Sequence, residues 1–198
     1  NLSRGLGDVY KRQGLILVLP HMGNWEVAGA VAESIGLPAL SAAENLPNPL
    51  ITEWFVNIRK MVGLDIVLTG RGMRATAALA RRLKEGGTVA LLSDRDVSGR
   101  GVPVTFFGEE TTMPAGPVAL ADKTGAAIHV VGSYFKEGRG HRYVIADALQ
   151  IPHAESRDER IAAGVQAAAE VLEEMIRVAP EDWHLFVPNW PSDRQAEI

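Results

Sequence analysis

The run Leu15-Ile16-Leu17-Val18-Leu19 is the feature that most constrains the fold. Five apolar residues in a row, too short for a helix of ordinary length, read as a strand buried inside a sheet. Pro20 ends its ladder, because proline has no N–H to donate. Next come a loop histidine, His21, then Met22, Gly23 and Asn24, the last suited to an N-cap. A helical pattern follows through Val27, Ala30, Val31 and Ser34. His21 is therefore expected in a strand-to-helix turn at the carboxyl end of a strand, where open α/β sheets place their ligands.

The alternation continues down the chain. Strands are predicted over residues 37–41, 64–68, 88–92, 102–107 and 127–135, with 142–146 pairing back onto 127–135 across Lys136-Glu137-Gly138-Arg139-Gly140. Helices are predicted from about residue 46 to 61, over 73–84, from Pro114 to about 123, and over 158–178. The third of the helices just named should turn in from proline, which suits a first turn. The second carries Ala77, Leu79, Ala80 and Leu83 as its apolar face; the last carries Ile161, Val165, Ala168, Leu172, Met175 and Ala179. This order predicts an α/β fold with a central, largely parallel sheet flanked by helices.

The 198 residues suit one domain, and 46% hydrophobic content supplies a sizeable core. A net charge of −4 lacks the footprint of a nucleic-acid binder. The absence of cysteine excludes disulfides, thiolate metal sites and a cysteine nucleophile. No apolar run approaches a membrane span, and there is no signal-peptide pattern. Residues 1–13 lack periodicity and resemble translated sequencing-adapter read-through. They are read as non-native, which leaves residues 14–198 as the domain, truncated at its N-terminus.

Glu26 follows His21 by five residues. On one helix that offset sets two side chains about 140° apart. With His21 in the loop and Glu26 in the first turn, the carboxylate can reach one imidazole nitrogen and leave the other to take a proton. Backbone N–H groups at the helix start can stabilise a developing oxyanion. The same pattern also fits a surface histidine beside a glutamate that favours the helix dipole. Asp94-Arg95-Asp96 follows another buried strand. Two carboxylates around an arginine can hold a hydroxylated acceptor or position the histidine; they also suit a polar loop with a local ion pair. Arg59 and Arg74 are candidates for phosphate contacts, since the planar guanidinium fits phosphate oxygens, though most helix arginines are solvated. Trp25, Trp54, Phe106 and Phe107 suit either an acyl channel or a core. Of the other histidines, His129 reads as structural, His141 and His153 as solvated, and His184 in Pro180-Glu181-Asp182-Trp183-His184 as structural. Gly70-Arg71-Gly72-Met73-Arg74-Ala75 fits a dinucleotide-binding pattern, so a nicotinamide-cofactor or other nucleotide-binding enzyme is the alternative class, although that pattern normally follows a domain's first strand. No Gly-x-Ser-x-Gly elbow, phosphate-loop lysine or metal-ligand cluster is present.

His21-Met22-Gly23-Asn24-Trp25-Glu26 resembles the histidine–four residues–acid motif of the glycerolipid acyltransferases, in the branch holding the lipid A late acyltransferases and the phosphatidylinositol mannoside acyltransferases. Asp94-Arg95-Asp96, Val104-Thr105-Phe106-Phe107-Gly108 and Met113-Pro114-Ala115-Gly116-Pro117 resemble the mannoside branch in order and spacing; the lipid A branch usually lacks this arginine and this proline pairing. The resemblance spans roughly residues 14–194. It implies an acyl-CoA-dependent O-acyltransferase with a glycolipid acceptor and no metal or redox cofactor. It implies His21 as base, Glu26 orienting it, Asp94, Arg95 and Asp96 at the acceptor, and Arg59 on a phosphate. It also implies peripheral contact with the cytoplasmic face of the plasma membrane and no nucleic-acid partner.

Overall fold

The computed structural model describes residues 13–69 and 74–195, with side chains to residue 193. The stretch read as non-native, apart from Gln13, and the Gly70-Arg71-Gly72-Met73 part of the dinucleotide-like pattern lie outside the described residues. The strands are β1 (Leu15–Leu19), β2 (Ala39–Glu44), β3 (Leu64–Thr69), β4 (Thr88–Leu92), β5 (Val102–Phe106), β6 (Glu109–Met113), β7 (Ala127–Phe135) and β8 (His141–Ala148). The helices are α1 (Val27–Ser34), α2 (Pro49–Met61), α3 (Arg74–Lys84), α4 (Gly116–Thr124), α5 (Arg157–Val178) and α6 (Pro191–Gln195), with a short 3₁₀ turn at Pro180–Asp182.

Six strands form one mainly parallel sheet in the order β3-β2-β4-β1-β7-β8, and the expected α/β class holds. β2 runs parallel to both β3 and β4, with Ala39 opposite Leu64 and Thr88. β7 and β8 pair antiparallel, as expected across the 136–140 turn. β1 lies between β4 and β7 and is buried at every position, which is why its sequence shows no polar alternation. β3, the strand before the dinucleotide-like pattern, is a sheet edge.

The chain groups into two compact units. The first holds the described residues up to Leu17, Trp25–Leu91 and Leu120–Ala127; the second holds Val18–Asn24, Leu92–Ala119 and Ile128 onward. In the first unit α2 starts at Pro49, behind Asn48, whose side chain accepts the Leu50 N–H. α3 buries Ala75, Leu79, Ala80 and Leu83, while Ala77 is exposed. β2 starts at Ala39, two residues later than expected, because Pro38 precedes it and cannot donate to the ladder. α1 differs too: the position before it is Glu26, which makes no side-chain cap, so Asn24 is not its N-cap. Tertiary bonds hold the preceding residues as a turn instead. Gly23 sits at φ 55°, its N–H donates to Asp182 O, and Asn24 O accepts the Tyr143 hydroxyl.

In the second unit β5 and β6 form a separate antiparallel hairpin, Val102 opposite Met113 and Phe106 opposite Glu109. β6, Glu-Glu-Thr-Thr-Met, is invisible to a search for apolar alternation and exists through its pairing with β5. The loop is Phe107 at φ 53° and Gly108 at φ 82°, the two-residue turn with both φ values positive that matches strand twist. α5 starts at Ser156, whose side chain accepts the Glu159 N–H while Glu159 reaches back to the Ser156 N–H. Its buried stripe is Ile161, Val165, Ala168, Leu172 and Ile176. The stripe ends on Ile176; Met175 is half-buried and its carbonyl accepts the Tyr134 hydroxyl. Gln166 of α5 binds the Thr105 N–H and carbonyl at 2.9 and 3.1 Å, completing the edge of β5 with a side-chain amide.

Candidate active site

His21 and Asp94 occupy equivalent places, each two residues past the last residue of neighbouring strands, β1 and β4. The Ser93 N–H donates to Leu19 O at 3.0 Å and ties the two strand ends together. Asp94 is fully buried, and the His21 side chain is 20% exposed. Asp94 Oδ1 lies 2.6 Å from His21 Nδ1. Asp94 Oδ2 accepts the His21 backbone N–H at 2.9 Å and the Trp183 indole N–H at 2.9 Å. Burial pushes the Asp94 carboxyl up, but the His21 ring bond and charge, with the Trp183 and His21 backbone donors, outweigh it and hold the group below its ordinary range. An ionised carboxylate only accepts, so His21 Nδ1 carries a proton. In the neutral ring Nε2 then has the lone pair.

The loop around His21 is clamped from the far end of the chain. Met22 is fully buried and forms an antiparallel bridge with Trp183. The His184 N–H donates to His21 O at 2.7 Å, and Gly23 N–H donates to Asp182 O at 2.8 Å. His184 Nε2 donates to Gly23 O at 3.3 Å. Gly23 must be glycine: a Cβ there would stand 2.3 Å from the Ser133 carbonyl oxygen.

One expected contact is corrected. The carboxylate on His21 Nδ1 is Asp94, not Glu26. Glu26 Oε1 instead accepts from Arg59 Nη2 at 2.8 Å and Nε at 3.3 Å. The Arg59 guanidinium lies over the rings of Trp25 at 5.3 Å and Phe55 at 5.6 Å, which bury its stem and steer its fork onto Glu26. Asp94 is buried with both oxygens engaged, Oδ1 at the His21 ring and Oδ2 on two N–H donors. Asp96 organises its own loop: it accepts the Ser98 N–H and hydroxyl, the Gly101 N–H and the Thr112 hydroxyl. Arg95 is half-buried, with its Nε enclosed and without a hydrogen-bond partner.

Trp54 is exposed on α2, whereas Phe106 is fully buried in a cluster with Phe107, Trp183 and Trp190. Arg74 opens α3 and is exposed. His129 is buried with Nδ1 2.8 Å from Ala146 O, structural as expected. Among the described residues no three histidine, aspartate or glutamate side chains gather as a metal site would require. Trp183, which the sequence leaves without a role, is the residue that composition and spacing missed. Its partner is 89 positions away, and the remaining clue was that Asp94 ends its strand as His21 does.

The chain matches the bacterial lipid A biosynthesis acyltransferase family over residues 8–192. It is 36% identical over 188 residues to a phosphatidylinositol mannoside acyltransferase of Mycolicibacterium smegmatis, a match covering 93% of this chain and 59% of that protein. It is 35% identical over 181 residues to a phosphatidylinositol mannoside acyltransferase of Mycobacterium tuberculosis, covering 91% of this chain and 55% of the relative. The chain thus spans between 55% and 59% of the length of these curated relatives.

Proposed function

Because the chain belongs to the bacterial lipid A biosynthesis acyltransferase family, we propose that it transfers a fatty acyl chain from acyl-CoA to a glycolipid hydroxyl. The names of its relatives support phosphatidylinositol mannoside as the acceptor, and a mannose hydroxyl of it is the proposed position. The observation that carries the mechanism is the 2.6 Å contact between His21 Nδ1 and the buried Asp94 carboxylate. With the proton fixed on Nδ1, Nε2 takes the proton of the acceptor hydroxyl. The alkoxide oxygen forms its bond to the thioester carbonyl carbon, and the tetrahedral intermediate collapses with cleavage of the carbon–sulfur bond. Coenzyme A leaves as the thiolate and recovers the proton from Nε2. Asp94 stabilises the imidazolium between these steps, as the acid of a nucleophile–histidine–acid triad does. The thioester is already activated, so the scheme calls for no cofactor.

Glu26 and Arg59 act as a pair within the first unit, locking α2 against the start of α1. Any phosphate contact by Arg59 falls to its other terminal nitrogen. Arg95 and Asp96 are proposed at the acceptor, Asp96 by shaping the 96–101 loop.

The acceptor lies in a bilayer, and among the described residues no helix is long and apolar enough to cross one. Peripheral contact at the cytoplasmic face of the plasma membrane is proposed through α2. Its Leu50, Trp54 and Met61 are 73%, 58% and 85% exposed. Their spacing puts them within about 40° of one another on the helix.

The test is mass spectrometry of lipids after the chain meets palmitoyl-CoA and mannosylated phosphatidylinositol. The expected product is heavier by one palmitoyl group, and His21→Ala loses nearly all of it. Near-normal turnover by purified His21→Ala would overturn the mechanism.

A further inference from the structure

Two observations outside the histidine itself converge on Trp183. The first is its indole N–H on Asp94 Oδ2 at 2.9 Å, a donor aimed at a fully buried carboxylate. The second is Phe107, the one non-glycine residue at positive φ among the described residues. A bulky side chain in that region is strained, and such strain persists where surrounding contacts over-determine it. Those contacts are present. The Phe107 N–H donates to Glu173 at 2.6 Å, and the Arg177 guanidinium sits 5.1 Å from its ring centre. The Phe107 ring lies 5.8 Å from that of Trp183, tilted by 32°. Phe106 and Trp190 meet the same indole edge-on at 6.0 and 6.1 Å. The hairpin turn therefore presses an aromatic ring against the indole whose N–H holds Asp94.

We propose that Trp183, braced by Phe107, is a positioning residue for the His21–Asp94 pair, setting both the orientation of the carboxylate and the proton affinity of the pair. This rests on the reading of His21 as the base. Trp183 leaves Oδ1 for the imidazole by occupying Oδ2 together with the His21 backbone N–H. A donor on a carboxylate stabilises the deprotonated state of the coupled pair. Removing it makes the pair bind a proton more readily and leaves Oδ2 held by the His21 backbone N–H alone. Among the described residues, the titratable or charged groups on the elements around the pair include Asp182 and His184 on the clamping segment, Tyr143 on β8, and Arg95 and Asp96 beyond Asp94.

The experiment is Trp183→Phe, which keeps an aromatic ring against Phe106, Phe107 and Trp190 and deletes only the donor. The His21 ring is titrated by NMR in histidine-labelled protein, with its resonances assigned by their absence in His21→Gln. The expected result is an upward move of the midpoint at which the coupled His21–Asp94 pair takes up its proton. The acidic limb of the kcat/KM profile moves with it, and kcat falls more than KM changes. Phe107→Leu, which leaves the indole N–H in place, is expected to move the titration less. An unmoved titration in folded Trp183→Phe overturns the proposal. If that variant does not fold, the wild-type Trp183 indole proton decides: its resonance should shift as the pair titrates, and a pH-invariant resonance overturns the proposal equally. The NMR readout needs no turnover. An absence of acyl transfer by wild type would therefore refute the functional reading and leave this measurement standing.

Discussion

Replacing Asp94 with asparagine changes one oxygen to an amide nitrogen inside a site with no slack. Asp94 Oδ1 faces His21 Nδ1 at 2.6 Å; Oδ2 takes two N–H donors, each at 2.9 Å. If the new NH2 group occupies the Oδ2 place, it points at two buried donors, each left unsatisfied at about 1–3 kcal/mol. If it takes the Oδ1 place, both donors keep their oxygen, but the amide must donate to Nδ1. The second arrangement wins. It drives the ring proton to Nε2, the atom that has to accept from the substrate. A carboxylate-to-amide swap that fixes the wrong tautomer in a hydrolase triad lowers kcat by about 10⁴-fold. Here Asp94→Asn is expected to lower kcat by about 10³–10⁴-fold, or roughly 4–5.5 kcal/mol at 1.36 kcal/mol per decade. KM should change little, because the fully buried carboxylate meets no substrate. Initial rates with palmitoyl-CoA measure the loss, and ¹⁵N shifts of the His21 ring report the tautomer without turnover. Activity within about five-fold of wild type, or a ring that still carries its proton on Nδ1, would refute the reasoning.

The same carboxyl, held below its ordinary value of 3.8, stabilises the fold above that pH and loses this contribution as pH falls through its lower folded value. Urea titrations at about pH 6 and about pH 3, on either side of the ordinary carboxylate value, should therefore show a smaller acid loss in Asp94→Asn than in wild type. Glu26→Gln is expected to cost about 1–2 kcal/mol of stability through its Arg59 bonds while kcat stays within about ten-fold of wild type; a loss as deep as that of His21→Ala would return Glu26 to the histidine. Gly23→Ala should destabilise by more than about 2 kcal/mol, since its Cβ would meet the Ser133 carbonyl at 2.3 Å; an unchanged Tm would show that the loop can relax. Leu50→Asp with Trp54→Asp should lower activity on vesicle-borne acceptor more than on detergent-dispersed acceptor, measured beside vesicle sedimentation at two salt concentrations. Equal losses on the two substrates would move the membrane contact away from α2.

The sequence by itself determined the elements whose information is local. β1 is apolar at every position, and β4 and β7 fall at their expected limits. It also placed His21 in a turn beyond a buried strand, because proline and glycine act on the backbone they occupy. Tertiary structure alone decided which acid meets the histidine. Glu26 is five positions from His21 and Asp94 is 73, yet β4 lies beside β1, and adjacent strand ends bring the distant carboxylate to Nδ1. Glu26 meanwhile finds Arg59, 33 positions on, across α2. β6 shows the same limit: its polar residues have no strand signal until β5 offers a ladder. Strand order and long-range donors such as Trp183 are fixed by which apolar faces can be buried together. That is a property of the assembled sheet, which no window along the chain contains.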